Sequence, residues 1–200
     1  HRRLILPQLG ATGVSAHEVR RRSGFAVEFG PVRTRDLPEY LRTGVATPAM
    51  RRVRFGLADR LVLIPVEVSQ VVLPMAACAA VAFLLGGAEA SLAAVVAFLA
   101  GAAVFPVLLP WLPTRDFAGK GLALGLAAAL PFAIAALAAS RGLHPVPRTC
   151  LALLPVFGMP PVTGYIALNF TGSSTFTSRS GVRREMFRYI PAMAIAAGIG

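Results

Sequence analysis

The sequence predicts a mixed fold. Residues 1–50 read as the C-terminal part of an α/β, Rossmann-like domain. Residues 51–66 read as a juxtamembrane linker and interfacial helix, and 67–200 as an all-α polytopic membrane bundle of about five transmembrane helices. Three observations predict this. Charge is uneven: residues 1–60 hold 12 of the 20 basic and 5 of the 9 acidic residues, and 61–200 hold the remaining 8 and 4. Four long stretches carry no charge at all. The first forty-five residues alternate strand-like and helix-like patterns.

The charge-free stretches are Val68–Ala88, Ala90–Thr114, Gly121–Ser140 and Thr149–Ser178. Each is near or above the ~20 residues that a helix needs to cross ~30 Å of hydrocarbon. A fifth begins at Tyr189 and is expected to run on past the end of this piece. The expected spans lie near 66–86, 90–111, 119–139, 149–170 and 187–200. They are rich in Ala and Gly, which let helices approach closely where lipid supplies no hydrophobic drive. Proline inside a span is tolerated where neighbouring helices satisfy the freed backbone groups. Gly158-Met159-Pro160-Pro161 is expected to kink or break the fourth span.

Loop charges set an orientation. Arg51, Arg52, Arg54 and Arg60 precede the first span, Arg115 and Lys120 follow the second, and Arg179, Arg183, Arg184 and Arg188 follow the fourth. These ten are expected inside, against Arg141 and Arg148 outside, so the first segment is placed in the cytoplasm, at the cytoplasmic membrane. Leu57–Val72 reads as an interfacial helix leading into the first span, with Glu67 at headgroup level or paired with Arg60. The net charge of +11 does not indicate nucleic acid, because the arginines flank apolar spans rather than interleave with exposed aromatics. Cys78 and Cys150 lie in apolar surroundings and are expected to be small buried hydrophobes.

In the first segment, Leu4-Ile5-Leu6 is a short strand and Leu9–Gly13 a loop. Ser15 with Glu18 three residues on is a capping box for a helix that stops at Gly24. Phe25–Phe29 alternates as a strand, Gly30-Pro31 turns, and a helix runs from Asp36 to Leu41. Ligands of open α/β sheets bind outside the carboxyl ends of the strands. The loop Gln8–Val14 occupies such a position, and its glycines would admit a large flat or phosphorylated ligand. Gln8, Gly10, Ala11, Thr12, Gly13 and Val14 are therefore the candidate binding residues. Ser15, His17 and Glu18 read as helix surface. Forty-five residues do not bury an independent core. With a start at His1 and a stop inside an apolar segment, the chain is expected to be a fragment of a longer protein.

Two stretches carry a resemblance. HRRLILPQLGATGVSAHEVRRRSGFAVEFGPVRTRDLPEYL resembles the end of the corrinoid-binding domain in the large subunit of the acetyl-CoA pathway corrinoid iron–sulfur protein. With ATPAMRRVRFGLADRLVLIPVEV, the apolar spans and NFTGSSTFTSRSGVRREM, the chain is similar to the membrane-anchored, mercury-methylating corrinoid proteins of anaerobes. The resemblance is specific at 1–67 and 169–186. It implies a cobalt corrinoid of the cobalamin type along Gln8–Val14, and a methyl group taken from a methyl-donor protein or folate-type donor and passed to Hg(II). It also implies a ferredoxin-like [4Fe–4S] partner that returns cobalt to Co(I). Asn169–Ser180, dense in hydroxyls, is expected to dock the cytoplasmic domain or that partner.

The family's cap-helix motif, Asn-(Val/Ile)-Trp-Cys-Ala-Ala-Gly-Lys, is absent; the only Trp is Trp111, in Leu-Pro-Trp-Leu-Pro. No catalytic residue and no metal ligand is therefore assigned here. The full-length protein is expected to be a corrinoid-dependent methyltransferase and this piece alone inactive. The alternatives are a corrinoid carrier with another methyl acceptor, and a transporter-type membrane protein.

Overall fold

The structure, a computed structural model, describes residues 2–53, 55–170 and 179–199, with side chains for all of these except Thr12, Arg179 and Ser180. The chain forms two compact units, His1–Phe55 and Gly56–Gly200.

In the first unit, β1 (Arg3–Leu6) and β2 (Ala26–Phe29) pair in parallel, with Arg3 opposite Ala26 and Leu6 opposite Phe29. The connection holds a 3-10 turn, Gln8–Thr12, and helix α1 (Ala16–Ser23). The Ser15 hydroxyl accepts from the Glu18 N–H at 3.3 Å, satisfying one orphan donor of the first turn. Arg20, Arg21 and Arg22 sit in the last turn, where the helix dipole favours cations. Gly24, at φ 73°, ends the helix in the left-handed region that only glycine adopts without strain. Helix α2 (Leu37–Thr43) ends the same way at Gly44. The short helix α3 (Pro48–Arg51) is capped by Thr47, whose Oγ1 accepts from the Met50 N–H at 3.3 Å. Tyr40 and Met50 are the large buried side chains.

This overturns the expected fold class. There is no Rossmann-like α/β domain: the described residues hold one sheet of two four-residue strands, and the protein is mainly helical. The local alternation of strand and helix is real, but it yields a single β–α–β turn of chain. A doubly wound sheet needs several more strands to cover both its faces.

In the second unit three helical runs are long and apolar enough to cross a membrane: Leu57–Leu108, Phe117–Ala139 and Pro145–Asn169. The first is α4 (Leu57–Leu99), a π-turn at Ala100–Val104 and α5 (Phe105–Leu108). Drawn out straight, its 52 residues would span about 78 Å, far beyond the hydrocarbon thickness. It does not run straight. Gly87 leaves helical geometry at φ 71°, ψ −160°. Beyond it the chain folds back, so that Val68, Val71 and Met75 pack against Phe98 and Ala102. Arg60 Nη1 donates to the Val107 carbonyl at 3.4 Å, closing the open end of this hairpin.

Helices α6 (Phe117–Ala139) and α7 (Pro145–Asn169) form the tightest pair. Gly121, Gly125, Ala129 and Ala133 of α6 recur every fourth residue and are all buried. A Cβ on Gly121 would meet Ala167 Cβ at 2.5 Å, and one on Gly125 would meet Pro160 Cα at 2.6 Å. Thr163, fully buried, donates from Oγ1 to the Ala97 carbonyl at 3.0 Å and ties α7 to α4 just before the π-turn. Phe105 packs on Phe117 and Phe170, with centroids 6.0 and 5.9 Å away. Large apolar side chains such as Leu73 and Leu85, 80% and 85% exposed, point outward. Such a surface suits lipid rather than water.

Three apolar helical runs stand where four of the five expected spans were placed, because the first run folds back at Gly87 and its two arms take the places of 66–86 and 90–111. The fifth expected span lies in α8 (Arg179–Ile199), whose first half carries Arg183, Arg184, Glu185 and Arg188. α8 is fastened to the N-terminus of α6. The Ala118 N–H donates to Glu185 Oε2 at 3.2 Å, and the Tyr189 hydroxyl donates to Asp116 Oδ2 at 2.9 Å. Met193 packs on Ala118 and Leu168.

Two local expectations also change. α7 is unbroken through Pro155, Pro160 and Pro161. Cys78 and Cys150 lie on exposed helix surface instead of in a core. Glu67 is buried on the first arm of α4 and does not lack a partner. Most of Asn169–Ser180, the expected docking segment, lies outside the described residues.

Candidate functional site

The candidate site is the carboxyl end of the two parallel strands. Because β1 and β2 are in register, the chain leaves both at the same end, and the Gly30 N–H donates to the Leu6 carbonyl at 2.8 Å. This brings Gln8–Val14 and the Gly30-Pro31 turn to one edge of the sheet. Gly30 has to be small: a Cβ there would lie 3.0 Å from Ile5 Cγ2 and 3.4 Å from the Tyr40 ring.

All six predicted binding residues lie in or directly after the 3-10 turn. Their backbone is largely occupied. The Gly10 N–H donates to the Pro7 carbonyl at 2.9 Å, and those of Gly13 and Val14 both donate to the Gly10 carbonyl at 3.0 Å. Three amides that would have cradled a phosphate are thus spent inside the turn. The glycine faces are open, however. A Cβ on Gly10 would touch nothing within 4 Å, and one on Gly13 only the Gly10 carbonyl at 3.9 Å. Ala11 is exposed. Of Thr12 only the backbone is described.

Gln8 is the distinctive residue. Its Oε1 is buried yet accepts no hydrogen bond from the protein. A buried acceptor left unsatisfied costs about 1–3 kcal/mol. A corrin ring carries primary amides on its rim, and such an N–H would be one chemically suitable donor for this oxygen. A corrinoid would meet this loop at the open faces of Gly10 and Gly13, with Gln8 Oε1 as the acceptor for a rim amide. Among the described residues no three His, Cys, Asp or Glu gather to hold a metal ion.

Ser15, His17 and Glu18 form no trio. Ser15 caps the helix, the Glu18 carboxylate accepts from Arg21 and Arg22 at 2.7 and 2.5 Å, and His17 is exposed.

A network that the sequence reading missed stands beside the site. The Glu28 carboxylate accepts from the Tyr40 hydroxyl and from the Arg3 guanidinium, pinning α2 to both strands. The signal available was an acid inside an otherwise apolar strand, Ala-Val-Glu-Phe. Its partners lie 12 and 25 residues away, beyond the reach of local patterns. The Tyr40 hydroxyl, and after it Arg3, hold the Glu28 carboxyl below its ordinary pKa. The same hydrogen bond, and then burial, push Tyr40 above its own.

The sign follows from linkage. A carboxylate whose folded pKa is depressed stabilises the fold above its unfolded pKa, and that contribution disappears as pH falls through the folded value. Amide exchange in β1 and β2 is therefore expected to accelerate below the ordinary carboxylate range. In Glu28→Gln this acid step should flatten, and an unchanged step would assign the loss to other groups.

No protein family, curated protein or solved structure matches this chain.

Proposed function

We propose that this chain is the membrane-anchored part of a corrinoid-dependent methyl carrier that passes a methyl group to Hg(II), working with a ferredoxin-like reductive partner. Membrane association is supported by the three apolar helical runs. The observation that carries the corrinoid reading is Gln8 Oε1, a buried acceptor without a donor, on the loop whose sequence resembles that family and beside two open glycines. When bound, the corrinoid supplies the cobalt centre on which methyl transfer depends. The chain's own residues bind and orient: Gly10 and Gly13 let a flat ring lie close, and Gln8 fixes a rim amide. The bundle holds this unit to the membrane.

The full-length polypeptide, given its reductive partner, a methyl donor and Hg(II), is expected to form methylmercury above a corrinoid-free control. Corrinoid-dependent methylation of a different acceptor would keep the carrier and discard mercury. An absence of any corrinoid-dependent transfer would leave a transporter-type membrane protein. Gln8→Leu supplies a second readout. It removes an unsatisfied acceptor, so the unliganded protein should be as stable as the parent or more so, while corrinoid retention on gel filtration falls about tenfold. Undiminished retention would remove Gln8 from the site.

A further inference from the structure

The first unit has a second concave feature, remote in sequence from the Gln8–Val14 loop. It is a cleft of about 250 Å³ lined by Arg33, Arg35 and Arg52, with Asp36, Glu39, Thr47, Ala49 and Met50. The arginines come from two separate stretches. The Val32 N–H donates to the Met50 carbonyl at 2.9 Å, which fixes the stretch carrying Arg33 against α3. Thr47 caps α3 and so sets where Arg51 and Arg52 leave it. Three arginines and two acids line the cleft, a formal excess of one positive charge. Arg35 Nε stands 3.6 Å from Asp36 Oδ1.

The position along the chain matters equally. Arg52 lies five residues before Leu57, the start of the first apolar helical run. Five residues reach at most about 18 Å. A basic cluster this close to a membrane helix lies in the zone where anionic headgroups attract Lys and Arg. Val53 and Leu57, both exposed, interleave apolar side chains with this basic stretch, as an interfacial segment does.

We propose that the Arg33–Arg35–Arg52 cleft takes the phosphate of an anionic lipid headgroup and so holds the first unit to the membrane surface. The guanidinium forks pair with phosphate oxygens, and Thr47 stands at the cleft wall. This inference rests on the membrane reading and is independent of the corrinoid reading.

The test uses the whole chain in lipid discs and follows amide exchange at Met50–Arg52. Discs of phosphatidylcholine alone are compared with discs that also contain phosphatidylglycerol. Each guanidinium near an anionic surface contributes about a fivefold factor, so exchange should slow about tenfold or more with phosphatidylglycerol. About 0.5 M salt, which shortens screening to about 4 Å, should weaken that difference. Replacing Arg33, Arg35 and Arg52 with Gln should abolish it. Replacing Arg2, Arg20 and Arg42 with Gln removes equal charge elsewhere on the unit and should leave it intact. Exchange in β1 and β2 reports whether the triple variant stays folded; if it does not, Arg52→Gln alone takes its place. Equal loss in both variants would reduce the effect to net charge and overturn the cleft. Equal slowing in phosphatidylcholine discs given inorganic phosphate would overturn the lipid headgroup as occupant.

Discussion

Gly121→Leu is expected to part α6 from α7 and to give the largest loss of stability of any single change in the membrane unit. A Cβ at Gly121 would sit 2.5 Å from Ala167 Cβ, 2.8 Å from Gly164 Cα and 3.0 Å from the Thr163 carbonyl. Two of these three are backbone atoms, so no rotamer relieves the clash. Gly125, one turn on, faces Pro160 Cα in the same way, so the interface cannot open at one point only. Overpacking usually costs 1–3 kcal/mol, and here two helices must move apart, so a cost of about 3 kcal/mol or more is expected. Lipid gives helices no hydrophobic reason to stay together, which leaves close van der Waals contact as the main attraction. The thermal unfolding midpoint in detergent should fall well below that of the parent. Gly142→Ala, at a glycine with nothing within 4 Å, should leave it unchanged. Equal midpoints for Gly121→Leu and the parent would show that α6 and α7 do not meet along this face.

Tyr40→Ala is expected to unfold the first unit and spare the second. Tyr40 is 2% exposed, and with Met50 it makes up the large buried side chains of the unit. Truncating a buried aromatic costs about 3–5 kcal/mol. A unit of 55 residues has only about 3–8 kcal/mol in total by the usual per-residue range. The change also removes the hydroxyl that holds Glu28 and opens the space beside Gly30 and Ile5. Amide exchange in β1 and β2 should approach unprotected rates, while α6 and α7 keep their protection. Tyr40→Phe removes the hydrogen bond alone and should give a much smaller change. Protection of β1 and β2 that survives Tyr40→Ala would mean that the ring is not the core of this unit.

Parts of this architecture were legible in short stretches of sequence. Ser15 and Gly24 punctuate α1 through contacts within four residues, and the charge-free stretches mark apolar helices because lipid penalises every charge. The fold-back belongs here too: the short gap between the expected spans 66–86 and 90–111 is where Gly87 leaves helical geometry. Of the candidate site, the loop was legible but its hydrogen bonding was not. The glycines that suggested a phosphate cradle turn their amides onto Pro7 and Gly10.

Where the reading failed, it extended a local signal too far. Strand–helix–strand is a local pattern, whereas a Rossmann-like sheet is a property of many strands together. The Gly-Met-Pro-Pro run suggested a break, but the tertiary structure places Pro160 against Gly125, where close packing accommodates the ring in a continuous helix.

By itself the sequence determined where α1 begins and ends and which stretches are apolar enough for a bilayer, because capping and hydrophobicity act over a few residues. Only the tertiary structure decided that Gly121 and Gly125 form a helix contact, that Glu28 joins Arg3 to Tyr40, and that Gln8 buries an oxygen without a donor. Those outcomes depend on pairs of residues far apart in the chain, and their meeting is set by packing geometry that no local pattern encodes.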